Sequence, residues 1–97
     1  MNAAWLDAIT RSRLSSTERW VLVAWLRRVG EPGAGAVPIR WLAVDTGYGR
    51  RTVRRSLQSL RRKRILGGSQ RSRAGALDMR FDLQALESMQ PYHSSGA

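Results

Sequence analysis

The sequence contains no cysteine, which excludes disulfide frameworks, thiol nucleophiles and cysteine-ligated zinc together. Its one histidine, His93, stands near the C-terminal end. Its seven carboxylates, Asp7, Glu18, Glu31, Asp45, Asp78, Asp82 and Glu87, form no pair with the spacing of a general acid–base or metal site. The expectation is therefore a protein that is not an enzyme and takes no cofactor or metal. Long hydrophobic runs are also missing. The longest, Trp20 to Leu26, has seven residues, against the roughly 20 that a bilayer-spanning helix needs. The opening Met1-Asn2-Ala3-Ala4-Trp5 lacks the basic and then apolar regions of a secretory leader, so a cytoplasmic, nucleoid-associated protein is expected.

With 97 residues, 42% of them hydrophobic and 25% charged, the chain matches one soluble domain. A chain this short buries only about 60 to 65% of the surface its unfolded form exposes, so most of its large apolar residues are needed inside. Trp20, Trp25 and Trp41 are accordingly expected in a core or an interface. The domain is expected to span residues 1–90 with a core over about 14–83, and 91–97 to be a disordered tail.

Acidic residues are scarce where basic ones gather. The chain carries 17 basic and 7 acidic residues, a net charge of +10. No acid lies between Asp45 and Asp78, whereas Arg50, Arg51, Arg54, Arg55, Arg61, Arg62, Lys63, Arg64, Arg71 and Arg73 all do. Elsewhere the two signs cancel. Segregated charge repels itself, and a polyanion relieves that repulsion, so nucleic acid is the first partner to consider. Genome-wide arginine bias accounts for Arg over Lys but not for the missing carboxylates.

Periodicity orders the chain. Trp5, Leu6 and Ile9 mark a short amphipathic helix ending at Thr10 to Arg13. Ser15-Ser16-Thr17-Glu18 reads as a capping box that opens a helix over Ser15 to Val29, closed by a left-handed Gly30. Glu31 to Pro38 reads as a surface loop. Ile39, Leu42 and Ala43 mark a further helix with Pro38 in its first turn, which Asp45-Thr46-Gly47-Tyr48-Gly49 breaks before the next helix, Arg50 to Arg62.

On that last helix, at about 100° per residue, Val53, Leu57 and Leu60 form a narrow apolar stripe. Gln58, Arg51, Arg62 and Arg55 fall roughly 140 to 200° away, with Arg54 and Thr52 flanking them. Beyond Ile65 the period changes to two. A first strand is expected from about Ile65 to Arg71, a turn near Arg73-Ala74-Gly75, and a second strand in which Leu77, Met79, Phe81 and Leu83 alternate with Asp78, Arg80 and Asp82. Asp78 and Asp82 then read as solvated charges on the wet face. Gln84 to Met89 is expected to form a last helical turn or two before Pro91.

Helix, helix–turn–helix and hairpin in succession give a mainly α fold with a small β-hairpin, the order of a winged helix-turn-helix domain. Leu14-Ser15-Ser16-Thr17-Glu18-Arg19-Trp20-Val21-Leu22 carries a resemblance to such domains in phage and plasmid replication and regulatory proteins. So does the later pattern of Leu42-Ala43, Thr46-Gly47-Tyr48, Arg50-Arg51-Thr52-Val53-Arg54-Arg55 and Leu57. The resemblance covers about Leu14 to Leu83. The chain departs from it in having Pro38 and Gly49 where serine usually caps the helix pair, and Arg64 where the recognition helix usually ends in glycine.

The resemblance implies that the helix Arg50 to Arg62 enters the major groove of double-stranded DNA. Arg51 and Arg55 are then the candidates for guanine contacts and Gln58 for adenine, with Arg62 on the same ridge. Arg50, Thr52 and Arg54 would hold phosphates, and Arg71 and Arg73 would act from the wing on the backbone or minor groove. The expected protein is a small transcriptional regulator, with a plasmid or phage replication or maintenance factor as the alternative. A homodimer is expected, its seam drawn from Trp5, Leu6, Ile9, Leu86 and Met89, which could equally cap the monomer core. No small-molecule ligand is implied. A membrane-surface role is disfavoured by the thin apolar stripe, and RNA reading by a ridge without stacking aromatics.

Overall fold

Residues 1–71 and 76–89 are described by a computed structural model, as five helices and three strands. These are α1 (Ala3–Arg11), α2 (Ser16–Val29), β1 (Ala34–Ala36), α3 (Ile39–Thr46), α4 (Arg50–Arg62), β2 (Leu66–Arg71), β3 (Leu77–Phe81) and α5 (Leu83–Ser88). The fold is mainly helical, with a small antiparallel sheet of order β1-β3-β2. The expected turn at Arg73-Ala74-Gly75, Pro91, His93 and the 91–97 tail lie outside the described residues.

Caps set the first two helix starts. The Asn2 side chain accepts a 2.7 Å bond from the Ala4 N–H. Ser15 Oγ accepts from the Glu18 N–H at 3.1 Å while Glu18 Oε1 accepts from the Ser15 N–H at 2.9 Å, which completes the capping box. α3 and α4 start at Pro38 and Gly49 without a side-chain cap. α3 continues through Asp45 and Thr46, residues expected to break it, because the Thr46 hydroxyl donates back to the Leu42 carbonyl at 2.7 Å and accepts from the Tyr48 N–H at 3.2 Å. The turn is thus Gly47-Tyr48-Gly49, and Gly47 adopts the left-handed conformation at φ 82°, ψ 1° that a side chain would disfavour. Gly30 departs from the expected left-handed cap: its φ is 67° but its ψ is −166°, an extended exit toward β1.

Two corrections concern strands. The expected loop Glu31 to Pro38 contains β1, whose Ala34, Gly35 and Ala36 pair with Arg80, Met79 and Asp78 of β3. Three small residues show no alternation, and only the backbone edge of β3 makes them a strand. Leu83, expected to end β3, instead begins α5, because the Asp82 side chain accepts from the Ala85 N–H at 3.0 Å and caps that helix.

One core joins these elements. Trp25, Leu22, Leu42, Val53 and Leu60 are fully buried where α2, α3 and α4 meet, and Met79 and Phe81 of the sheet belong to the same buried cluster. The Trp25 indole N–H lacks a hydrogen-bond partner among the described residues, a cost of about 1 to 3 kcal/mol that its large apolar burial offsets. α1 packs on α5 and α2. Of the two readings of the end residues, seam or cap, the packing within the chain matches the cap. Ile9 and Leu86 are buried within the chain, Trp5 meets Phe81 edge-on at 5.2 Å, and Met89 packs against the core. Of those five residues only Leu6 is exposed, so the others cap the monomer.

Candidate nucleic-acid interface

α4 divides into two faces. Val53, Ser56, Leu57 and Leu60 are buried, and α4 packs on α2, α3 and β2. Arg50, Arg51, Thr52, Arg54, Arg55, Gln58 and Arg62 are all exposed. With 13 residues the helix is about 20 Å long. The apolar stripe therefore fixes the helix on the body of the domain and turns its cationic ridge outward. Among the described residues the ion pairs are Arg11–Asp7, Arg28–Asp45 and Lys63–Glu18, so none uses an arginine of α4. Among the described residues no carboxylate pairs with this ridge.

Lys63 differs from its neighbours in the basic segment. Its ammonium group lies 2.8 Å from Glu18 Oε2 and 3.1 Å from Oε1. Ser59 also donates its hydroxyl to Glu18 Oε2. The carboxylate that caps α2 thus ties that helix to the end of α4. Burial would raise the Glu18 pKa, but the bonds from Lys63, Ser59 and the Ser15 N–H outweigh it and hold the group at about 2. One member of the charge cluster is consequently a structural clamp.

The end of α4 explains the unusual Arg64. The Ile65 N–H donates to the Leu60 carbonyl and the Arg64 N–H to the Arg61 carbonyl, both at 3.0 Å. That is a Schellman closure, with Leu60 and Ile65 both fully buried as its apolar contact. The closure needs a left-handed residue, and Arg64 supplies it at φ 64°. The same geometry aims the chain into β2.

β2 and β3 form the hairpin, with Leu66 opposite Phe81 and Arg71 opposite Leu77. A register shift lies between Gly67 and Gln70. Gly68 makes it possible, since its φ is +107° and a Cβ there would lie 2.6 Å from the Asp78 carbonyl oxygen. Arg71 is on β2, and Arg73 lies outside the described residues.

Two tryptophans fall elsewhere than the core. Trp25 is buried, but Trp20 and Trp41 stay exposed, together with Val44. The signal was present in the spacing: Trp41 and Val44 both fall off the stripe of Ile39, Leu42 and Ala43. Among the described residues no helix is long and apolar enough to cross a membrane. No family model, curated protein or solved structure matches the chain.

Proposed function

We propose that the chain is a winged helix-turn-helix protein that binds double-stranded DNA, reading sequence through α4 as a small cytoplasmic transcriptional regulator. The observation that carries this reading is the outward ridge of α4, with seven exposed cationic or polar side chains, Arg50, Arg51, Thr52, Arg54, Arg55, Gln58 and Arg62, behind a buried apolar stripe. The three-residue turn before α4 and the hairpin after it support the same reading, since they surround a projecting helix in the way groove readers require. A major groove about 12 Å wide accepts one helix.

In this reading Arg51 and Arg55 fork onto guanine O6 and N7, and Gln58 meets adenine. Arg50, Thr52 and Arg54 hold phosphates, Arg62 extends the ridge, and Arg71 and Arg73 contact the backbone or minor groove. Two copies bind related half-sites as a homodimer on the duplex.

Selection of bound sequences from a random duplex pool tests the proposal. A palindromic consensus is the expected result. Direct repeats would point instead to the replication or maintenance role, and no enrichment at all would overturn sequence reading. Arg55→Ala is expected to flatten preference among sites, costing about 1 to 3 kcal/mol on the best one, whereas Arg73→Ala should weaken all duplexes alike.

A further inference from the structure

A second surface lies on α2 and α3, built from residues outside α4. Trp20 is 40% exposed, Trp41 43% and Val44 80%. The tryptophans are held rather than loose. Trp20 donates its indole N–H to the Thr46 carbonyl at 3.3 Å. The Arg28 guanidinium lies 5.0 Å from the centre of the Trp41 ring and grips Asp45 through two bonds of 2.7 and 2.9 Å. Arg40 lies 6.0 Å from the same ring. A cleft of about 390 Å³ runs between Trp20 and Asp45, edged by Arg27 and Arg28.

Each feature narrows the occupant. Tryptophan and arginine in fixed positions are the residues that dominate binding at protein interfaces, because little entropy is lost on contact. A nucleic-acid backbone has nothing apolar to cover Val44, and guanidinium groups already lie on the Trp41 ring where a base would stack. Arg28 is paired with Asp45, and Arg27 at the cleft edge and Arg40 beside Trp41 add positive charge to the surface around it. A second copy would bring the same positive surface on a chain of charge +10. Complementarity calls for carboxylates around an apolar anchor.

We propose that the α2–α3 surface docks an acidic segment of a protein partner, its apolar side chain set against the exposed Trp41 and Val44 of α3 and its carboxylates on Arg40 and on Arg27 at the edge of the neighbouring cleft. This docking site is independent of the DNA-reading proposal.

The test uses the full chain and a fluorescein-labelled 14-residue helical peptide with two leucines and one phenylalanine on one face and glutamates elsewhere. Anisotropy should show saturable binding, weakened at least tenfold by Trp41→Ala and by Val44→Glu, both changes at exposed positions. Arg51→Ala should leave peptide affinity unchanged, and duplex DNA should bind alongside the peptide. Equal binding of a control peptide with serines in place of the apolar residues would overturn the proposal. So would displacement of the peptide by duplex, or unchanged affinity in both the Trp41 and the Val44 variant. A free protein of doubled mass in sedimentation equilibrium, returning to monomer in Trp41→Ala, would assign the surface to self-association and also overturn it.

Discussion

Glu18 shows how much one residue can carry. Its carboxylate caps α2, accepts from Ser59 and pairs with Lys63, with its side chain only 9% exposed. The capping role was legible from Ser15 and Glu18 three positions apart, but the link to residues 41 and 45 positions away was not. Because the folded pKa of about 2 lies below the ordinary 4.5, the stabilisation is complete above pH 4.5 and is lost as pH falls toward 2. Its size is on the order of 3 kcal/mol. Urea unfolding across that window should show the wild type losing more stability than Glu18→Gln by this amount. Arg64 offers the opposite case, since it takes a conformation that glycine adopts without cost. Arg64→Gly is expected to stabilise the protein by about 1 kcal/mol in thermal or urea unfolding. A loss of stability there would mean that the arginine side chain has a structural task.

Elements with strong internal pattern were the legible ones. α4 runs from Arg50 to Arg62 as its apolar stripe requires, because Val53, Leu57 and Leu60 meet a core on one side only. β1 lacked such a pattern, since Ala34, Gly35 and Ala36 become a strand through pairing with β3 rather than through their side chains. The boundary at Leu83 was also hidden, as a capping aspartate competes there with strand alternation. The hairpin depends on Gly68, where an added methyl group would meet the Asp78 carbonyl in a backbone conformation that side chains avoid. Gly68→Ala is expected to cost about 2 kcal/mol or more and to shift the β2–β3 register, visible in backbone amide spectra. Stability and register both unchanged would remove Gly68 from this role.

At the scale of the whole molecule, the charge asymmetry decides behaviour. The described ion pairs neutralise Arg11, Arg28 and Lys63 and leave the α4 ridge facing solvent. If duplex DNA is the partner, about 5 to 8 phosphate contacts should give a slope of log K against log salt near −4 to −7. Fluorescence titrations between low and moderate salt measure it, and a flat dependence would contradict electrostatic docking. The packing of α1 on α5 was a decision at this scale too. The apolar residues at the two ends of the chain suited either a seam between copies or a lid on one core, and tertiary contact made them a lid.

The sequence by itself determined the helical phases, the capping box, and which residues of α4 face inward, because these follow from spacing within a few turns. It also determined the clustering of positive charge, which is a property of composition along the chain. Only the tertiary structure decided that Lys63 belongs to a clamp, that Ala34 to Ala36 form a strand, and that Trp41 stays outside while Trp25 goes in. Those outcomes depend on partners distant in the chain, and local periodicity carries no information about which surfaces a compact core brings together.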